Sequence, residues 1–451
     1  MKPSPRQLAL EILNRIDDSH ETLDQLIDGV DIRAPELSKQ DRALFNALIH
    51  GALRWRGRLD WIIRHFSSTP FKKIAPPVRN VLRLGLFQII HLDRVPVSAA
   101  VNTSVELSKT VAASWTTGFI NGVLRTAARE HRDVQFPDPA KNPIGSLTAE
   151  KSIPEWLARR WLNRFAMRET MVLCDTINAV PPVTLRTNTL RTTRENLIAG
   201  LSPHSRVASA CRYSPEGIRL GILKTRLDHL SDFKTGGFQV QDEAAQLISH
   251  FLDPVPNEHI LDASAGLGGK TGHIAQLMGN RGRLQAMEIS RHKLTRLRWE
   301  MKRLGIRIVS GRHRDILQMD DSSGGRFDRV LLDAPCSGLG VLRRNPDAKW
   351  RESKKRLSAF RATQLQLLEN LSVLVKPSGI LVYSVCSMEP EETDGVIEAF
   401  LARRQNYAID TDISGMPEPA RCVVDHVGRL RTFPHRHDTD GFFAVRLRRV
   451  G

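Results

Sequence analysis

The chain has 451 residues, with 66 Lys and Arg against 49 Asp and Glu, a formal net charge of +17 and 41% hydrophobic residues. That length suffices for about three domains with cores of their own, and positive charge spread along the whole chain points to a polyanionic partner without separating RNA from DNA. No apolar run reaches the roughly 18 residues of a membrane span.

The N-terminal Met1-Lys2-Pro3-Ser4-Pro5-Arg6 leads straight into an amphipathic helix carrying Glu11 and Asp17, without the apolar core of a secretion signal. Apolar residues at three- and four-residue spacing then continue to about residue 130: Leu8, Ile12 and Ile16; Leu44, Leu48 and Leu53; Val81, Leu82, Leu86 and Ile89; Ala99 to Leu107; Ile120 to Ala128. This predicts an all-α bundle over residues 1–135. Pro137, Pro139 and Pro143 mark a linker. A small α+β subdomain follows over 145–235, with a helix from Glu155 to Phe165 and short strands at Val183 to Arg186 and Gly217 to Leu220.

Over residues 236–451 strands alternate with helices. Strands are expected at His259 to Ala263, Arg283 to Glu288, Arg307 to Ser310, Arg326 to Leu332 and Ile380 to Val385. Helices are expected at Lys270 to Met278, Arg291 to Leu304 and Lys354 to Leu374. Crossover helices between strands indicate a largely parallel sheet, and Gly441 to Leu447 closes it as an antiparallel strand.

The first of these strands runs into Ser264-Ala265-Gly266-Leu267-Gly268-Gly269-Lys270 and then a helix. Glycines allow a tight turn and close approach of a ligand to the backbone, and Glu288 ends the next strand, where a carboxylate accepts hydrogen bonds from the two hydroxyls of a ribose. A nucleoside-containing cofactor fits both. NAD(P) is one candidate, since Gly266, Gly268 and Gly272 nearly mimic Gly-x-Gly-x-x-Gly, but Lys270 is foreign to that fingerprint. S-adenosylmethionine suits the order of strand, glycine turn and acidic strand end, and Asp315, after the third strand, would then face the adenine amine.

Five cysteines stand at positions 174, 211, 336, 386 and 422, with no Cys-x-x-Cys pair or zinc-finger spacing. Neither a structural metal nor a disulfide framework is expected, and a reducing cytoplasm is the predicted compartment. His435 and His437 read as a loop beside the last strand. Two thiols stand out: Asp333-Ala334-Pro335-Cys336-Ser337-Gly338 and Tyr383-Ser384-Val385-Cys386-Ser387 each follow an apolar strand. Side chains past the carboxyl ends of neighbouring strands converge on one crevice. Methylating a pyrimidine C5 needs a thiolate that adds at C6, a carboxyl group that holds the base, and a base that removes the C5 proton. Cys336, Cys386 and Asp333 supply the first two, with the attacking thiol being one of the pair.

These segments, with Phe238-Gln239-Val240-Gln241-Asp242, Gly268-Gly269-Lys270-Thr271 and Asp440-Gly441-Phe442-Phe443, resemble the Sun-type RNA cytosine-C5 methyltransferases. The resemblance implies a Rossmann-like class I S-adenosylmethionine-dependent domain in which Cys386 attacks C6, Cys336 assists release and Asp333 contacts the base near the donor methyl. Cofactor contacts fall on Ser264, Ala265, Gly266, Leu267, Gly268, Gly269, Lys270, Glu288, Asp315 and Asp333, and no metal. The family's loop usually reads Cys-Ala-Ala-Pro-Gly-Gly-Lys, so a proline is lost here and a glycine gained, which predicts a looser loop and weaker cofactor binding. Lys270 either orients catalytic groups or caps the loop.

The helical domain is similar to NusB-like RNA-binding bundles through Gly51-Ala52-Leu53-Arg54-Trp55, Leu84-Gly85-Leu86-Phe87-Gln88 and Ile120-Asn121-Gly122-Val123-Leu124-Arg125. The combination implies a monomeric enzyme for a cytosine of small-subunit (16S) ribosomal RNA. The competing expectation is an RNA-binding ribosome-assembly factor whose catalytic half is weakened or inactive. Arg54, Arg56 and Arg58 around Trp55 are candidates for phosphate contacts and base stacking.

Overall fold

The computed structural model describes residues 4–19, 21–33, 37–111, 116–318 and 327–450. Two compact units compose it: Met1–Val180 with Leu342–Ser353, and Pro181–Val341 with Lys354–Gly451.

In the first unit, helices Pro5–Asp18, Leu23–Arg33, Lys39–Arg54, Arg56–Phe66, Pro76–His91, Val97–Ser108 and Thr116–Glu130 surround one apolar core. The first helix starts where Ser4 and Gln7 form a reciprocal capping box ahead of Pro5, and it buries Leu8, Ile12 and Leu13. Pro143 opens a helix, Pro143–Ala149, where a linker was expected, because proline lacks only an N–H that a first helical turn leaves unpaired anyway. The next helix runs from Glu155 to Asn178 and is broken at Ala166 (φ 57°), so the periodicity legible up to Phe165 describes only its first arm.

The segment Leu342–Ser353 belongs to this unit although it follows the Asp333 to Gly338 motif in sequence. It completes the end of helix Lys39–Arg54: Trp350 Nε1 donates to the Leu53 carbonyl at 2.6 Å, and Lys349 Nζ donates to the Arg54 carbonyl at 2.8 Å. Final helical carbonyls lack partners within their own helix, and a cation there also meets the negative end of the dipole. Burial brings the Lys349 ammonium down to about 7. Arg54 differs from expectation: its guanidinium is buried and donates to the Arg343 carbonyl at 2.7 Å. Arg56 pairs with Asp17 at 2.8 Å, and Arg58 lies over the rings of Trp55 and Phe136.

In the second unit, four strands among the described residues form a small antiparallel sheet in the order β2-β3-β1-β4: β1 Val183–Thr187, β2 Ala208–Ala210, β3 Gly217–Leu220 and β4 Phe238–Val240. Leu197 and Leu201 of helix Arg194–Leu201 cluster with Leu185, Ile218 and Phe238 of this sheet.

The large sheet comprises β5 His259–Asp262, β6 Arg283–Glu288, β7 Val309–His313, β8 Phe327–Asp333, β9 Val375–Val385, β10 Tyr407–Ile409, β11 Arg429–Arg431 and β12 Phe443–Arg449. Its order is β10-β12-β9-β8-β5-β6-β7, with β11 paired to β12. The pairs from β7 across to β9 are parallel, and β12 runs antiparallel to β9 as expected. Leu261, Val330, Leu332, Leu381 and Tyr383 are fully buried, as strands covered on both faces require. β7 begins at Val309 rather than Arg307, and Arg326 lies outside the described residues. The chain order reverses between β5 and β8, the point where an open α/β sheet forms a crevice beyond its strand ends.

Candidate active site

β8 and β9 place Asp333 directly opposite Ser384. The chain beyond each strand end therefore emerges side by side, and Cys336 Sγ lies 3.3 Å from Cys386 Sγ. Both are free, partly exposed thiols. The hydrogen bond with Cys386, and then burial, hold the Cys336 thiol well above its ordinary range.

Behind the residues that follow the thiols in sequence lies Glu392, a contact invisible in the sequence. Its carboxylate accepts from the Ser337 hydroxyl at 2.5 Å, the Ser337 amide at 2.8 Å, the Ser387 hydroxyl at 2.5 Å and Gln364 Nε2 at 3.1 Å. Its own carbonyl accepts from the Tyr383 hydroxyl at 2.7 Å. One buried carboxylate thus ties together the residues that follow both cysteines. Burial raises its carboxyl above the usual range, against the lowering effect of the serine contacts. The only sequence signal is its place in Glu389-Pro390-Glu391-Glu392, close after Cys386.

The Asp440-Gly441-Phe442 segment closes over the same loop. Gly441 donates its amide to the Gly340 carbonyl at 2.8 Å, and Gly340 donates to the Cys386 carbonyl at 3.0 Å. A Cβ on Gly340 would stand 1.9 Å from the Gly441 oxygen, so only glycine permits this approach.

Asp333 is held from two sides. Ser384 Oγ donates to Oδ1 at 2.8 Å, and Lys270 Nζ donates to Oδ2 at 2.6 Å. Burial would lower the Lys270 ammonium, but Asp333 outweighs it and the group ends above its ordinary value. Lys270 Nζ also sits 5.1 Å from the Phe442 ring centroid.

The glycine turn leans on β6. Ala265 donates to the Met287 carbonyl, Gly266 donates its amide to Glu288 Oε2 at 2.9 Å, and Ser290 donates to Oε1 at 2.7 Å. Gly266 (φ 56°) and Gly268 (φ 87°) adopt the left-handed backbone that glycine permits, and a Cβ on Gly266 would meet nothing within 4 Å, leaving the loop open to a ligand. Leu267 is exposed, and Ser264 lies between the buried Ala263 and Ala265. Asp262 at the end of β5 accepts from the Thr271 hydroxyl at 2.7 Å, and burial pushes its carboxyl up to about 6. Asp315, half-buried after β7, accepts the Leu317 amide at 2.9 Å.

Phe238-Gln239-Val240-Gln241-Asp242 acquires a physical role. Gln239 and Gln241 accept from the buried Arg186, whose guanidinium also donates to the Gly269 carbonyl at 2.7 Å. Asp242 caps helix Glu243–Leu252 and accepts the Asp440 amide at 3.1 Å. The motif therefore braces both the glycine turn and the closing segment. His435 and His437 lie in the short helix Pro434–His437, where His437 Nδ1 accepts the Phe433 amide.

Three family models match the chain: NusB family over residues 3–129, a ferredoxin-like domain of RsmF/B-like methyltransferases over 153–222, and 16S rRNA methyltransferase RsmB/F over 249–448. A probable ribosomal RNA small subunit methyltransferase B of Bacillus subtilis is 34% identical over 100% of both chains. Its counterpart in Synechocystis is 35% identical over 99% of this chain and 100% of its own. The chain belongs to the RsmB/F methyltransferase family. A crystal structure of a methyltransferase homologue from Pyrococcus horikoshii, 27% identical, superposes with a TM-score of 0.57 and covers 70% of this chain and 100% of its own. Membership of the RsmB/F family makes the chain an rRNA methyltransferase and sets aside the nicotinamide reading of the glycine turn. Among the described residues no helix is long and apolar enough to cross a membrane.

Proposed function

We propose that this protein methylates C5 of a cytosine in small-subunit ribosomal RNA through a covalent adduct with Cys386, using S-adenosylmethionine as donor. The observation that carries this reading is the 3.3 Å contact between two free thiols beside a carboxylate held by Lys270 and Ser384. The cofactor fits the residues present. The turn from Ser264 to Lys270 is open above Gly266, and Glu288 lies beside it with oxygens that each retain acceptor capacity for a ribose hydroxyl. Asp315 would hold the adenine amine. When bound, the sulfonium supplies an electrophilic methyl group.

Asp333 accepts a hydrogen bond from the cytosine amine and fixes the ring. The Cys386 thiolate adds to C6, which makes C5 nucleophilic toward the methyl that a bound sulfonium would supply, itself leaving as the neutral thioether. Transfer of the C5 proton to a base then lets the C5–H electrons form the C5–C6 double bond and expel Cys386 from C6 as its thiolate. Cys336, 3.3 Å from Cys386, assists that release. What supports the unequal roles is the motif each thiol occupies: in the Sun-type enzymes that these segments resemble, the later cysteine attacks and the one in Asp-Ala-Pro-Cys assists release.

The test is transfer of labelled methyl from S-adenosylmethionine to small-subunit RNA taken from cells lacking this gene, with bisulfite mapping of the product. Incorporation at one cytosine C5 is expected. Absence of transfer by the intact protein, alongside measurable RNA binding, would leave the assembly-factor reading in its place.

A further inference from the structure

Within the second unit, Glu216 stands just before β3, His250 near the end of helix Glu243–Leu252, and His273 in helix Gly269–Leu277, which continues the glycine turn. All three are buried, His273 completely. Glu216 Oε2 lies 2.9 Å from His250 Nε2 and 3.8 Å from His273 Nε2. The two imidazoles meet edge to face with centroids 5.0 Å apart. One ligand atom from each residue falls within 4.8 Å of the others, the one such group of histidine, cysteine or carboxylate side chains among the described residues.

A second observation is independent of this clustering. Both ring nitrogens of His273 are buried without a hydrogen-bond partner. Buried polar atoms are almost always satisfied, and an orphan indicates something that belongs there. Water needs several polar partners, whereas a metal ion needs only the lone pair of a neutral imidazole.

Two imidazoles and a carboxylate are donors suited to zinc, not to calcium or magnesium, which take oxygen ligands. Tetrahedral zinc with bonds near 2.0–2.1 Å separates its ligand atoms by roughly 3.3 Å, a spacing that the observed 2.9 and 3.8 Å bracket. Arg186, a buried cation of the same region, is tied to Gln239 and to the Gly269 carbonyl.

We propose that Glu216, His250 and His273 bind one zinc ion. Binding replaces the hydrogen bond between His250 and Glu216. The ion would join β3 of the small sheet to helix Glu243–Leu252 and to the helix whose first turn carries Lys270. Its role is structural, fastening the small sheet to the base of the glycine turn.

The test uses the full-length protein, stripped with chelator and titrated with Zn2+ or Co2+ alone, together with Glu216→Gln and His273→Gln. Glu216→Gln keeps an acceptor for His250 and removes only the anionic ligand, so folding can be checked separately by circular dichroism. Expected are one zinc per chain after gel filtration, a melting temperature raised by Zn2+, and Co2+ bands without thiolate charge transfer. Each variant, losing a direct ligand, should bind zinc more weakly by no less than the roughly 10–100-fold that loss of an outer-shell partner costs. A hydrogen-bonded pair only, seen as no retained zinc and no thermal shift at tenfold excess, would overturn the proposal. So would zinc retained equally by both folded variants, or a cobalt spectrum with thiolate character, since either places the metal elsewhere.

Discussion

Replacing Glu392 tests whether one buried carboxylate holds the two cysteine loops together. Glu392→Ala strands the Ser337 and Ser387 hydroxyls, the Ser337 amide and the Gln364 amide, all of which now donate to it. Each buried donor left unpaired costs about 1–3 kcal/mol. The two serine oxygens are already 3.3 Å apart and recover part of that by pairing with each other, so a net loss of about 3–5 kcal/mol is expected. Glu392→Gln should behave differently. Because burial raises the carboxyl's folded value, its neutral form is the better tolerated one, and an amide of the same shape should cost no more than about 1 kcal/mol. The two-unit chain makes a single global unfolding energy ill-defined, so the assay is native-state hydrogen exchange across β8, β9 and the loops after them, read with methyl-transfer activity. Alanine should collapse protection at Ser337 and abolish transfer, while glutamine preserves most of both. Unchanged protection in the alanine variant, or equal damage from the two substitutions, would refute the argument.

Cys386→Ala should abolish methylation, whereas Cys336→Ala should accumulate a covalent protein–RNA species on a denaturing gel; an adduct formed by the Cys386 variant instead would exchange their roles. Lys270→Met leaves Asp333 without its cation, and since that carboxylate retains 29% exposure, a loss of about 1–3 kcal/mol is expected rather than the full penalty of a buried orphan charge. The same variant should show a larger fall in kcat than rise in KM for RNA, and unchanged kcat would refute the orienting role. Asp262 has a folded value near 6 against 3.8 unfolded, so its contribution to stability is complete below about pH 4 and is lost as pH rises through 6. At 1.36 kcal/mol per unit that amounts to at most about 3 kcal/mol. Asp262→Asn should remove this slope in denaturation midpoints compared at pH 4.5 and 7, and parallel curves for the two proteins would count against it.

Strongly periodic elements were legible because both their pattern and their burial are local properties. β6 and helix Arg291–Leu304 match expectation residue for residue. The thiols follow β8 and β9, and Asp333 and Glu288 end β8 and β6, so pattern alone places all four at the strand ends of one sheet. What escaped notice depends on contacts distant in sequence. β4 reads as the start of the catalytic region, yet its hydrogen bonds go to β1, with Gln239 opposite Arg186. Glu392 looks like one surface acid among three until the two serines turn inward to meet it. Arg54 looks like a phosphate contact until the Arg343 carbonyl, from far along the chain, meets its buried guanidinium. The Glu216, His250 and His273 group has no spacing signature at all, since each residue comes from a different element.

The excursion of Leu342–Ser353 into the helical unit has a consequence for modularity. A fragment ending at residue 180 would retain the helices but lose Trp350, which packs against its core, and the donors that satisfy the Leu53 and Arg54 carbonyls. The complementary fragment would carry that same stretch as an orphan, beginning a few residues after Cys336. No single cut of the polypeptide therefore yields two self-sufficient pieces. The NusB-family bundle and the methyltransferase half are interlaced in sequence, so neither can be exchanged or inherited without taking part of the other.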